Sequence, residues 1–144
     1  MKEELRAGQA IKSMANLLCR HVAALPSFTD PDGATGMQGW VLKYLSRHEQ
    51  EDIYQRDIEA HFQIRRSTAS GILRLMEQRG LIERRPVPAD ARLKKLVLTE
   101  KARQIQRRVM RDLDQMERDL TAGIPPEELT VFFRVLEQMK SNLE

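Results

Sequence analysis

The segment QRDIEAHFQIRRSTASGILRLMEQRG, from Gln55 to Gly80, limits the fold of this chain more than any other. Ile58 and Phe62 stand four apart, as on one face of a short helix, and Gln63 with Ile64 leaves room only for a tight connection. Beyond them Ala69, Ile72, Leu73 and Met76 recur at helical steps, and Gly80 suits the left-handed position just past a helix end. Two helices this close together, the second opening on Arg-Arg-Ser-Thr, predict a helix-turn-helix. One face of the second helix is committed to a core; its basic, hydroxyl-rich start is left for something else. Leu75 falls on the polar side without an evident partner.

The residues after Gly80 narrow the fold further. LIERRPVP and KKLVLT are short strand candidates on either side of ADARL, with Pro86 and Pro88 confining the first to an edge. A hairpin directly after a helix-turn-helix is a wing, so the expected fold is mainly α with a small β-hairpin wing. On the N-terminal side, Ile11, Met14, Leu17, Leu18, Val22 and Leu25 predict an amphipathic helix ending before Pro26. PSFTDPDGATG reads as a break. Thr35 and Gln38 have capping-box spacing ahead of a second helix, whose apolar face holds Met37, Trp40, Val41, Tyr44 and Leu45. EQEDIY reads as a turn with at most a strand-like stub. After the wing, Thr99 caps a helix carrying Ala102, Ile105, Val109, Leu113, Met116 and Leu120. Gly123, Pro125 and Pro126 end it, and Glu127 and Glu128 occupy the next first turn, where the helix dipole favours acids. Leu129, Phe132, Leu136, Met139 and Leu143 then form a heptad-like stripe. That is more apolar length than a small winged helix covers alone, so a homodimer is expected.

Composition excludes several classes. The 144 residues fit one domain, 41% hydrophobic and 31% charged, as in ordinary soluble domains. No run approaches the roughly 18 apolar residues of a membrane span, the N-terminus lacks the apolar core of a secretory signal, and a single cysteine excludes an internal disulfide; a cytoplasmic location is expected. The net charge is +3, yet Gln55 to Lys95 holds ten basic against five acidic side chains. Such a basic centre points to a polyanion, although a charge run alone is more often a solvated face, and the order of elements around it decides. There is no glycine-rich phosphate loop, nucleophile elbow or metal-spaced His/Asp/Glu cluster, and His21, His48 and His61 are scattered. Neither enzymatic activity, a cofactor nor a metal is expected.

In this order of elements, RRSTASGILRLMEQRGLIERRP, the DAR of the wing (Asp90 and Arg92) and LVLTEKA resemble the MarR family of bacterial transcriptional regulators, over nearly the whole chain. The resemblance implies a winged helix-turn-helix with N- and C-terminal dimerisation helices, a homodimer triangular in outline, and double-stranded DNA as partner. Residues 1–144 would form a single domain, with about 35–98 as the DNA-binding lobe and 1–25 and 99–144 as the helical dimerisation region. A pseudo-palindromic operator is expected of a dimer, and repression is the commoner outcome in the family. The chain departs from the pattern at Arg65 and Tyr54, where relatives place short polar caps, and at the wing tip, where Ala91 stands beside Arg92.

Position assigns roles to the side chains. Arg66, Ser67, Thr68, Ser70 and Arg74 share the polar side of the recognition helix, suited to base edges, while Gly71 permits close approach. Arg65, at the helix mouth, is the phosphate candidate, and Gln55 and Arg56 are candidate backbone clamps. Asp90 either pairs with Arg92 to stiffen the wing or leaves Arg92 to reach the minor groove. Lys94 and Lys95 alternate along a strand, so only one of them should face DNA. The resemblance places any small-molecule effector between lobe and dimer helices. Met14, Leu18, Met37, Trp40, Tyr44 and Met110 would line that pocket for an aromatic or amphipathic compound, with core packing the plainer account. Some relatives sense peroxide through a cysteine placed like Cys19; its neighbours Leu18 and Val22 favour a buried, inert thiol. A protein-interaction winged helix and a redox-sensing regulator acting through Cys19 remain the alternatives.

Overall fold

The computed structural model describes residues 6–31 and 33–144. In these residues α1 (Ala7–Ala23), α2 (Pro26–Thr29), α3 (Met37–Arg47), α4 (Gln55–Phe62) and α5 (Arg66–Gln78) lead into the antiparallel hairpin β1 (Ile82–Val87) and β2 (Asp90–Leu98), followed by α6 (Glu100–Thr121) and α7 (Pro126–Leu143). The chain divides into two compact units, Met1–Leu113 and Asp114–Glu144, with the division inside α6. None of the described helices is long and apolar enough to cross a membrane.

The core of the first unit takes in most of the apolar positions that the sequence pattern marks, but α3 is turned so that Leu42 is buried while Met37, Trp40 and Tyr44, expected on its apolar face, are half-buried. Val41, Leu42 and Leu45 of α3, Ile58 of α4, Ala69, Leu73 and Met76 of α5, Leu81, Ile82 and Leu98 around the hairpin, and Ala102, Ile105 and Val109 of α6 are all buried. Full burial of each large aliphatic side chain contributes about 1.5–3 kcal/mol. These helices are therefore held by packing rather than by propensity.

Three local features differ from expectation. The expected break after α1 contains α2, a four-residue helix with Pro26 in its first turn and with Ser27 and Phe28 buried. Four residues are too few to display a helical period. Two glycines let this element pack closely: a Cβ on Gly33 would lie 1.9 Å from the Ser27 carbonyl oxygen, and one on Gly39 would lie 2.1 Å from the Phe28 ring. The capping box at Thr35 and Gln38 does not form; the cap position of α3 is Gly36, with no side-chain bond. The buried Gln38 amide instead accepts a hydrogen bond from Arg79, which also donates to the Gly33 carbonyl, and this ties the end of α5 to the loop before α3. Lastly, β2 begins at Asp90 rather than near Lys94, so most of ADARL is strand. The EQEDIY segment contributes no strand; a single bond joins the Leu96 N–H to the Ile53 carbonyl, at 2.7 Å.

The helix-turn-helix forms as expected. Asp57 accepts the Tyr54 backbone N–H at 2.8 Å, supplying a cap that the Tyr54 position lacks. Gln63 takes a left-handed conformation at φ 53°, and Gly80 does so at φ 72°. Arg65 begins α5 with no side-chain cap. Thr99 caps α6 by accepting the Ala102 N–H at 3.2 Å and donates its own hydroxyl to the Gly80 carbonyl. Further along α6, Asp112 accepts the Ser27 N–H at 2.9 Å and Arg108 pairs with Asp30 at 2.8 Å.

In the second unit Met116 is buried, whereas α7 has no buried residue. Phe132 and Phe133 are 54% and 58% exposed, with ring centroids 5.3 Å apart. On α1, likewise, Ile11, Met14 and Leu17 are exposed.

Candidate nucleic-acid interface

The start of α4, the first half of α5 and both strands of the hairpin surround an open cleft of about 450 Å³. Tyr54, Gln55, Arg56, Glu59, Arg66, Ser70, Arg84, Arg92, Leu93 and Lys94 line it. Five of these are cations and one is a carboxylate, so the cleft presents strong positive potential to any polyanion. Six residues expected from the sequence meet here: Gln55, Arg56, Arg66, Ser70, Arg92 and Lys94. Arg65, Ser67, Thr68 and Arg74 are exposed on α5 outside the cleft lining. Their exposure follows from the burial of Ala69, Leu73 and Met76 on the opposite face.

Strand alternation sorts the basic residues of the wing. Arg85 turns to Glu83, with Nη2 2.9 Å from the carboxylate, and Lys95 pairs with Asp52 at 3.4 Å. Their neighbours Arg84 and Lys94 line the cleft. Lys94 thus lines the cleft while Lys95 turns to Asp52 on the other face of the strand. Asp90 accepts the Arg92 backbone N–H at 2.9 Å, bracing the tip through the main chain rather than through the guanidinium.

Gln55 is more than an outward-facing clamp. Its Nε2 donates to Ser70 Oγ at 2.8 Å and to the Arg66 carbonyl at 3.4 Å, and its Oε1 accepts from Arg84 at 3.4 Å. Arg84 also lies 3.5 Å from Glu77. Arg84 is a site residue that sequence reasoning missed. The available signal was the i, i+2 relation to Ile82, which sets Arg84 apart from Arg85. Tyr54 is a second addition: the Arg56 guanidinium lies 5.0 Å from its ring centroid, a cation–π contact.

Two of the six residues expected to line an effector pocket share one cleft. Trp40 and Tyr44 line a cleft of about 230 Å³ with Lys43, Arg47, His48, His61 and Phe62, whereas Met14, Leu18, Met37 and Met110 are not among its lining. The end of α4 stands beside this face of α3: the Tyr44 ring lies 4.3 Å from His48 of its own helix end and 4.4 Å from His61 of α4. Burial raises the Tyr44 hydroxyl above its usual pKa, and the charges of Asp57 and Glu51 add to the effect. Cys19, expected to be buried, is exposed on α1, while Val22 takes the inward face. Among the described residues no three His, Cys, Asp or Glu side chains are grouped to hold a metal.

Residues 32–93 match the model of the MarR family. The chain is 23% identical over 113 residues to YdgJ, an HTH-type transcriptional regulator of Bacillus subtilis, covering 78% of this chain and 69% of that one. To YybA, a second such regulator of that organism, it is 26% identical over 107 residues, covering 74% and 71%. Among solved structures, the transcription regulator MarR from Oenococcus oeni is 29% identical, with a TM-score of 0.82 over 94% of this chain and 99% of that one. The MepR–DNA complex of S. aureus is 26% identical, with a TM-score of 0.85 over 99% and 100%.

Proposed function

Because this chain belongs to the MarR family of transcriptional regulators, we propose that it binds a pseudo-palindromic duplex DNA operator as a homodimer and represses transcription from it. The observation that carries the reading is the convergence of Arg56, Arg66, Arg84, Arg92 and Lys94 on one cleft between the helix-turn-helix and the hairpin. In this reading the start of α5 enters the major groove, with Arg66, Ser67 and Arg74 toward base edges. Arg65 and Arg56 take phosphates, and Arg92 with Lys94 tracks the groove beside the wing. The likeness to MepR, solved bound to DNA, supports this placement. The function is regulatory rather than catalytic, and its place is the cytoplasm.

The dimer reading rests on apolar residues left exposed in the single chain, chiefly Ile11, Met14 and Leu17 on α1 and Phe132, Phe133 and Val135 on α7. A second copy covers them, with residues 1–25 and 99–144 as the dimerisation region and 35–98 as the DNA-binding lobe. An aromatic or amphipathic effector would enter the Trp40–Tyr44 cleft and release DNA by favouring a lobe arrangement the operator does not accept. The exposure of Cys19 favours a second reading, redox control, which peroxide treatment followed by a DNA-binding assay decides.

The test is selection from a random duplex library with the purified chain, followed by titration of the enriched duplex at several salt concentrations. Enrichment of an inverted repeat whose half-sites lie about one helical turn apart, with a steep loss of affinity as salt rises, is the expected outcome. Equal affinity for unrelated duplexes would refute specific regulation.

A further inference from the structure

Gln55 stands where α4, α5 and β1 meet, and each of its polar atoms has a defined partner. The Arg66 carbonyl can only accept and the Arg84 guanidinium can only donate, so the amide must turn its NH2 toward α5 and its oxygen toward the wing. That fixes the third contact as well. Ser70 Oγ, 2.8 Å from Gln55 Nε2, has to be the acceptor in this bond. A serine hydroxyl that accepts still has one hydrogen to give, and no acceptor among the described residues takes the Ser70 hydrogen. Ser70 is exposed on the recognition helix and lines the basic cleft.

Resting on the DNA-binding reading, we propose that Gln55 is a positioning residue that fixes Ser70 as a hydrogen-bond donor to DNA, and through Arg84 ties the wing to the same helix. A free hydroxyl can answer either a donor or an acceptor and discriminates poorly between base edges. With one lone pair taken by Gln55, Ser70 keeps its hydrogen to give and a single lone pair to accept with, which favours an acceptor such as the N7 or O6 of guanine, the N7 of adenine or the O4 of thymine over the amino group of cytosine. The same amide holds Arg84, whose other partner is Glu77 on α5, so the first strand of the wing is fastened to both halves of the recognition helix. Gln55 thus acts on specificity without itself touching a base.

The experiment compares duplex selection and affinity for the full-length wild type, Gln55→Leu, Ser70→Ala, Ser70→Thr and the Gln55→Leu/Ser70→Ala double variant, with thermal unfolding of each. Gln55→Leu and Ser70→Ala are each expected to weaken binding to the wild-type duplex by about 5- to 20-fold and to relax preference at the same base pair. The double variant is expected to be no weaker than Gln55→Leu alone, because losing the Ser70 hydroxyl adds nothing once Gln55 no longer positions it. Ser70→Thr, which keeps the hydroxyl, should retain the preference. The proposal is overturned if Gln55→Leu weakens selected and random duplexes equally with every base preference intact, which would make Gln55 a direct backbone contact. Additive losses in the double variant overturn it too. A wild type that enriches no sequence overturns the DNA-binding reading and this assignment with it.

Discussion

Arg79 shows how much a single charged side chain can hold in this chain. It sits just past α5, where a helix C-terminus favours a cation, and donates to the Gln38 side chain and the Gly33 carbonyl. Gln38 is 5% exposed, so loss of this donor strands a buried amide oxygen. Arg79→Ala should destabilise the protein by about 2–4 kcal/mol in urea unfolding. Arg74→Ala, on the exposed face of the same helix, should leave stability within about 0.5 kcal/mol while weakening DNA binding. Equal stability losses would refute the division of α5 into an anchoring and a reading face. Tyr44 gives a second residue-level prediction. Its raised pKa means that the unfolded chain loses the phenolic proton first as pH rises, so the stability it contributes is complete below the unfolded value near pH 10 and is lost as pH climbs through the folded value. Thermal unfolding of the wild type should therefore fall more steeply than that of Tyr44→Phe at alkaline pH; parallel curves would show that burial of the hydroxyl is not felt.

At the scale of elements, the hairpin is where local chemistry and function meet most directly. β1 and β2 pair from Ile82 with Leu98 to Pro86 with Lys94, and the register breaks between Pro86 and Val87, opposite the stretch that carries Arg92. Asp90 steadies that tip by accepting the Arg92 N–H. Asp90→Ala should weaken DNA binding by about 2- to 5-fold, with less than about 1 kcal/mol lost in stability. Combined with Arg92→Ala it should add nothing further, since the turn matters only for the side chain it aims. Independent, additive losses would give Asp90 a contact of its own. Periodicity made α1, α3, α5, α6 and α7 legible, because each buries or exposes a stripe at helical spacing. It could not reveal α2, which is too short to repeat, nor the cap at Tyr54, where the carboxylate comes from Asp57 inside the helix. Leu75 stays half-exposed on the polar side of α5, and nothing in the structure explains it.

For the whole molecule, the long exposed apolar stripes make association the central prediction. Phe132→Glu with Phe133→Glu should shift the protein to monomer by light scattering, leave far-UV circular dichroism near wild type, and reduce affinity for the two-half-site duplex by about 100-fold or more, as joint engagement of the half-sites is lost. A particle that stays dimeric would place the interface elsewhere. The sequence by itself determined which residues are apolar at which period, hence the number and order of the long helices, the hairpin after the helix-turn-helix and the basic centre of the chain. These are properties of neighbours in sequence, and side-chain chemistry sets them locally. Tertiary structure decided which polar group meets which. It drew Lys95 to Asp52 and Arg85 to Glu83, left Arg84 and Lys94 on the cleft, set Trp40 and Tyr44 on a cleft with His61 and Phe62, and set Gln55 against Ser70. Such meetings depend on how each helix is rotated and how the strands register, both fixed by contacts between residues far apart in the chain.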